Sequence, residues 1–341
     1  MLFIYLYPLT VLIINFFIKK KKFLFNEYQL DHQKLTNNQA SLVGGYFLII
    51  PIIFFFYKSY LLFSAICGLI FILGIFSDLN ILSSPKKRFL LQLLLIFVFV
   101  IIKKVEVFPT RINFLDENFS KTYWSYFFTI FCLMILLNGS NFIDGLNGLF
   151  LGYLLIVLTI IYQLNLSSNF NLLNEKLDLI IYAFSIIFLF NLFNQFFLGD
   201  SGAYSLGFFI GYILIEIYTK NLMISPYFII LLLWYPCFEN LFSILRKLIK
   251  KKSVLMADNE HLHQLIFILV KKKFKMKDLF INIISGLMIN FFNLIFLYLG
   301  STDPGNTKFQ LYLLLIAIFL YVTFYFIIKS VLEKSITFYK N

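Results

Sequence analysis

The stretch "FFTIFCLMILLNGSNFIDGLNGLFLGYLLIVLTIIY", Phe127 to Tyr162, decides the fold class. Its flanks, FFTIFCLMILL and FLGYLLIVLTIIY, carry no charge and read as lipid-buried, yet the hinge between them holds three Asn, one Asp and three Gly. Similar apolar runs of about 17 to 22 residues recur along the chain, each long enough to cross a bilayer as a helix. The composition agrees: of 341 residues, 60% are hydrophobic and 13% charged, and the mean hydropathy is +0.86, where a soluble domain is nearer half apolar and a quarter charged. The expected fold is an all-α, polytopic integral membrane bundle forming a single domain over residues 1–341.

Eleven spans are read, at roughly 2–18, 42–57, 60–77, 89–102, 125–138, 148–165, 179–194, 203–219, 222–240, 279–299 and 309–329. A net charge of +12 could suggest nucleic acid, but the basic residues form short blocks beside apolar spans, so no nucleic-acid partner is expected. Counted on alternate sides, 21 of the 29 Lys and Arg fall on one side, which the positive-inside rule places in the cytoplasm. That puts the N-terminus outside, the C-terminus inside and the protein in the plasma (inner) membrane. KKKK follows the first apolar run, which fits a retained helix better than a cleaved signal. The three cysteines are odd in number and lie inside apolar runs, without metal-type spacing.

Five polar motifs share the cytoplasmic side: LVGGYF, SDLNILSSPKKR, NGSNFIDGLNGL, FLGDSGAYSLG and ADNEHLHQL. In FLGDSGAYSLG, Asp200 stands between glycines where the eighth span begins. A helix N-terminus suits phosphate, and a carboxylate there suits Mg2+, which is usually held by one or two carboxylates plus substrate phosphates. A capping Asp among packing glycines accounts for the same residues. In the opening stretch Asn138, Asn141, Asp144 and Asn147 recur at every third position, so a helical turn gathers them on one face. Polar groups at a bilayer usually face a cavity or a partner, although a plain loop also needs one Asn-Gly or Asp-Gly turn. Asp78 stands at the end of the third span, and Lys86, Lys87 and Arg88 precede the fourth. Membrane anchoring explains that trio alone; beside a phosphate site it would also attract an anionic lipid head group. His261 and His263 follow Asp258 and Glu260; two histidines are too few for a closed zinc site, and their imidazoles suit phosphate oxygens better.

Together, NGSNFIDGLNGL, FLGDSGAYSLGF and HLHQL, with LVGGYF, GIFSDLNILSSPKKRFLLQ and YPCFENLFSILRK, resemble the polyprenyl-phosphate N-acetylhexosamine-1-phosphate transferases, the MraY/WecA-like enzymes of glycosyltransferase family 4. The likeness runs from about Asp31 to Leu265. It implies a ten- or eleven-helix protein with a cytoplasmic active-site cleft that moves a phospho-sugar from a UDP-amino sugar to a polyprenyl phosphate and releases UMP, with Mg2+ (or Mn2+) as cofactor. The resemblance makes Asp200 a metal ligand with Asp144 beside it, and gives Asn141 and Asp144, flanked by Asn138 and Asn147, to the nucleotide-sugar site. Phe197 would stack on uracil, His261 and His263 would engage the diphosphate, and Asp78 would carry the acidic function after span three. Lys86, Lys87 and Arg88 complete the expected substrate contacts, and a homodimer is among the assemblies open to the family. Two departures stand out. Ser77 replaces the first of the family's adjacent aspartates, often assigned as a base, and Gln264 replaces a third His. HLHQL is nearer the WecA-like branch, which implies a UDP-N-acetylhexosamine donor for a surface polysaccharide. The alternative is a non-catalytic or transport relative that binds polyprenyl-phosphate-linked sugars.

Overall fold

A computed structural model describes residues 2–21, 40–120, 123–167, 171–253 and 260–338. Among the described residues there are thirteen helices and no β-strand; one isolated bridge joins Ser41 to Phe196. The helices are α1 (Leu2–Lys21), α2 (Gly44–Phe56), α3 (Leu61–Asp78), α4 (Pro85–Lys103), α5 (Asn113–Phe119), α6 (Trp124–Ile143) and α7 (Leu149–Gln163). They continue with α8 (Asn171–Leu192), α9 (Gly199–Lys220), α10 (Pro226–Ile249), α11 (Leu262–Lys273), α12 (Asp278–Ser301) and α13 (Thr307–Phe338).

Each of the eleven expected spans coincides with a helix, and α5 and α11 are the additional ones. Six helices are long and apolar enough to cross a membrane by themselves: α3, α6, α9, α10, α12 and α13. The apolar helices α2 and α7 have 13 and 15 residues; at 1.5 Å per residue they rise only about 20 Å, short of the ~30 Å hydrocarbon layer. Large hydrophobic side chains cover the outside, among them Phe319 at 67% and Phe291 at 66% exposure. A surface of that kind is untenable in water and ordinary against lipid. The chain is therefore a polytopic helical membrane protein.

At the centre stands α9, 89% buried over its most apolar window, whereas α13 at 22% lies at the periphery. It packs against α2, α3 and α6, and small residues set how closely. A Cβ on Gly74 of α3 would lie 2.2 Å from Ser201 Cα, and one on Gly45 of α2 would lie 2.5 Å from Gly202 Cα. Backbones that touch through glycine are the usual way for membrane helices to gain contact, because lipid supplies no hydrophobic drive between them. This closeness presses the end of α3 against the start of α9. The LVGGYF motif joins the same place, since Gly44 N–H donates to Phe197 O at 2.8 Å and Phe197 N–H to Ser41 O at 2.8 Å.

Candidate active site

Asp78 is the last residue of α3, and its carboxylate accepts from the backbone N–H of Asp200 at 2.7 Å and of Ser201 at 3.1 Å. Both donors belong to the first turn of α9, which has no hydrogen-bonding partner for them inside the helix. Gly199 has φ +74° and a Cβ there would meet Asp78 Oδ2 at 2.7 Å, so only glycine permits this approach. Two of the N–H groups that the sequence offers to phosphate are thus taken by Asp78.

Asp200, in the first turn of that helix, turns its carboxylate to α4. Its Oδ2 accepts from Arg88 Nη1 at 2.7 Å and from the Ser77 hydroxyl, which in turn accepts from Arg88. Arg88 lies in the first turn of α4, where the helix dipole disfavours a cation; Asp200 supplies the compensating charge, with both side chains mostly shielded, at 22% and 17% exposure. The serine that departs from the family pattern is thus a neutral bridge between Arg88 and Asp200. Asp200 Oδ1 is engaged by no hydrogen bond among the described residues.

The last turns of α6 reach the same cluster. Asn141 donates to Tyr204 OH at 3.2 Å, one turn along α9 from Asp200. The stripe expected at every third residue holds only in part. Asn138 spends its amide on Met134 O at 2.9 Å and does not join the group. The helix ends at Ile143, Asp144 is its C-cap, and Gly148 at φ +74° turns the chain into α7. Asn147 therefore leaves the helical face. Its N–H donates to Asn282 Oδ1 of α12 at 2.6 Å, while Gly148 N–H donates to Asn191 Oδ1 at 2.6 Å and Asn290 Nδ2 to Gly148 O at 2.9 Å.

These ties hold open a small pocket lined by Asp144, Gly145, Leu146, Asn147, Asn191, Phe197 and Asn282. Asp144 is partly accessible through it and has no hydrogen-bond or ion-pair partner among the described residues. Burial, and then the charges of Asp200 and Asp78, hold its pKa well above the ordinary carboxylate value. No group of three or more His, Cys, Asp or Glu that could enclose a metal ion unaided occurs among the described residues. Asp144 and the free oxygen of Asp200 are the two carboxylates with capacity to spare.

His263 stands behind the Gly145 wall of this pocket. His263, 1% exposed, packs so closely that a Cβ on Gly145 would lie 2.5 Å from its Nε2. Burial, and then proximity to His261, lower its pKa to about 3 against the opposing pull of Glu239. His261 lies between Phe142 and His263, with ring centroids 5.2 Å and 5.6 Å away. Gln264, the second departure, is a helix cap: its Oε1 accepts from His261 N–H at 3.1 Å at the start of α11. Lys86 and Lys87 stay exposed at the start of α4, and Asp258 lies outside the described residues.

Sequence reading passed over Glu239, Tyr204, Asn191 and Asn282. Glu239 had a signal: a carboxylate deep in an apolar span is costly and marks a functional pairing by default. Asn282 and Asn290 had one too, as amides recurring within the tenth apolar run, Asp278–Ser301. Tyr204 and Asn191 carry none, because nothing in the sequence separates them from other helix residues.

Fold and site define the class: a polytopic helical membrane protein whose helix ends enclose three aspartates, one arginine and two histidines. Comparison with known proteins shows what the chain is similar to. Residues 60–218 match the family model for glycosyl transferase family 4, a segment that contains Asp78, Asn141, Asp144 and Asp200. A probable undecaprenyl-phosphate N-acetylglucosaminyl 1-phosphate transferase of Bacillus subtilis is 32% identical over 199 residues, covering 57% of this chain and 54% of that protein. An undecaprenyl-phosphate alpha-N-acetylglucosaminyl 1-phosphate transferase of Thermotoga maritima is 29% identical over 297 residues, covering 84% and 88%. The match thus spans about half the length of the Bacillus relative and most of the Thermotoga one. The chain is thus similar to glycosyl transferase family 4 over residues 60–218, and to two undecaprenyl-phosphate N-acetylglucosaminyl 1-phosphate transferases beyond it.

Proposed function

We propose that this protein transfers N-acetylhexosamine 1-phosphate from a UDP-sugar, with UDP-N-acetylglucosamine the first donor to test, to undecaprenyl or another polyprenyl phosphate, releasing UMP. The reaction takes place at the cytoplasmic face of the plasma membrane and begins a surface polysaccharide, O-antigen or cell-wall polymer. The observation that carries this reading is Asp144, an enclosed and unpartnered carboxylate on a pocket wall beside the Asp200–Arg88–Asp78 cluster. An enclosed carboxylate left uncompensated is costly, and the free oxygen of Asp200 lies in the same cluster. Two carboxylates completed by substrate phosphates fit Mg2+, which when bound neutralises the diphosphate charge.

An oxygen of the lipid phosphate attacks the β-phosphorus of the nucleotide sugar, a new P–O bond forms, and the bond to UMP breaks. A phosphate monoester is largely ionised near neutral pH, its second pKa being about 6, so the attack needs no side chain to take a proton. Ser77 is compatible with turnover for that reason. What such a transfer asks of the protein is positioning and charge compensation. Asp78 fixes the start of α9 and hence Asp200. Arg88 and Ser77 hold Asp200 Oδ2 and leave Oδ1 toward the substrate. Asn141 and Phe197 border the space for the nucleotide sugar, and His261 and His263 face its diphosphate. Lys86 and Lys87, exposed at the membrane edge, attract the lipid phosphate.

The test is UMP release by the detergent-purified protein given undecaprenyl phosphate, Mg2+ and a panel of UDP-amino sugars. Release that requires lipid, metal and Asp200, and is lost in Asp200→Asn, supports the reading. No release with any donor from folded protein that still binds the lipid supports a non-catalytic lipid-binding relative, the reading that Ser77 favours.

A further inference from the structure

Glu239 lies in the apolar helix α10, is 0% exposed, and has no place in the mechanism above. Its carboxylate gathers three groups, two from the start of α11 and one from α13. Oε2 accepts from Tyr321 OH of α13 at 2.5 Å, Oε1 from the Leu262 N–H that opens α11 at 3.4 Å, and His261 Nδ1 stands 2.9 Å from Oε1. The Leu262 N–H can only donate, and an ionised carboxylate can only accept, so the carboxylate is the acceptor of the set. The imidazole must then present Nδ1–H to it, which leaves Nε2 as the ring atom with a free lone pair or proton. No hydrogen bond engages Nε2 among the described residues. Phe142 and His263 pack against the ring, at centroid distances of 5.2 and 5.6 Å.

We infer that Glu239 is a positioning residue that fixes the tautomer and the direction of His261, so that Nε2 meets the diphosphate of the sugar donor. Pairing a carboxylate with one ring nitrogen to set what the other does is a general use of histidine. This inference rests on the transferase reading for the identity of the ligand. Burial of the carboxylate is itself a design cost, since a Gln or Leu would fill α10 without a charge in an apolar layer. With Leu, Tyr321 and the Leu262 N–H would lose an acceptor; with Gln one acceptor oxygen remains, but the charge that selects the His261 Nδ1–H form is gone.

The experiment uses the full chain in detergent, labelled with 15N-histidine. The chain has three histidines, so His→Gln variants assign the ring signals. In the wild type the His261 signals should report a proton on Nδ1, and addition of UDP-N-acetylglucosamine with Mg2+ should shift Nε2. In Glu239→Gln the Nδ1–H signature should be lost, and UMP release should fall about 10- to 100-fold, the usual range for a partner that orients a functional imidazole. The fall should appear in kcat more than in KM. The double variant Glu239→Gln/His261→Ala should be no slower than His261→Ala alone, because the first residue acts through the second. Tyr321→Phe, which removes a different bond of Glu239, should keep the tautomer.

A His261 that carries its proton on Nε2 in the wild type overturns the inference without any variant. So do losses that multiply in the double variant, the mark of a merely structural carboxylate. A wild type that releases no UMP and whose His261 ignores the nucleotide sugar fails the transferase reading itself. Normal turnover in Glu239→Gln fails only the role given to Glu239.

Discussion

Replacing Asp78 tests whether this residue serves as a cap on α9 or as a base. Its carboxylate accepts N–H groups of Asp200 and Ser201 at 2.7 and 3.1 Å. Each hydrogen bond to a charged acceptor contributes about 1.5–3 kcal/mol, and the helix dipole adds about 0.3–2 kcal/mol. Against this stand the cost of enclosing a carboxylate and its repulsion from Asp200, together on the order of a few kcal/mol. The balance for Asp78→Ala is a loss of about 2–3 kcal/mol, the penalty expected for unpaired donors at a buried helix end. At about 2–4 °C per kcal/mol this lowers the melting temperature by about 4–12 °C. Asp78→Asn keeps one acceptor oxygen and should lose about half as much. The assay is a thermal melt in detergent, read beside UMP release. A cap predicts that Asn outperforms Ala in both, since Asp200 is misplaced less. If Ala melts with the wild type, or if Asn and Ala are equally inactive while both stay folded, the cap account is wrong and Asp78 acts on a proton.

Gly199→Ala should be at least as harmful as Asp78→Ala, because it meets both the left-handed backbone at φ +74° and Asp78 Oδ2; a melt equal to the wild type would contradict the contact. Asp144→Asn should raise the melting temperature in the absence of metal while abolishing UMP release. The sign follows from the raised pKa of Asp144: its neutral form is favoured in the fold, so its contribution is present below the unfolded pKa and is lost as pH rises through the folded one. Mg2+ should stabilise the wild type, and lose that effect in Asp144→Asn and in Asp200→Asn, as thermal shifts with and without chelator would reveal. His263, held near 3, has the opposite sign. Its contribution is complete above its unfolded value near 6.5 and declines as pH falls toward about 3. The pH slope of the melting temperature in that window should flatten in His263→Asn, and an unchanged slope would refute the burial assigned to it.

The bilayer explains why so much of the fold was legible. Apolar length and flanking charge are properties of the sequence itself, and each expected span coincides with a helix. The motifs on FLGDSGAYSLG and NGSNFIDGLNGL were legible for a related reason, since polar residues at that depth need a purpose. Partner choice was not legible. Asp78 looked like the surviving acid of a pair, yet helix packing through Gly74 and Gly45 makes it the cap of α9. Arg88 read as a lipid-phosphate contact, and the first turn of α4 places it on Asp200. Asn147 kept the spacing of a helical stripe, but the helix stops at Ile143 and α12 claims its backbone. Periodicity fixes a face only while the helix lasts, and long-range contacts decide what meets it.

The central claim is that a phospho-sugar, and not a sugar alone, moves to a lipid phosphate at the Asp144–Asp200 site. UDP-N-acetylglucosamine carrying 32P in its β-phosphate, incubated with undecaprenyl phosphate, Mg2+ and the purified protein, tests it directly. The account predicts label in the organic phase, an equal amount of unlabelled UMP in the aqueous phase, and neither with Asp200→Asn. Label that stays aqueous while the sugar is released or transferred without it would contradict the account.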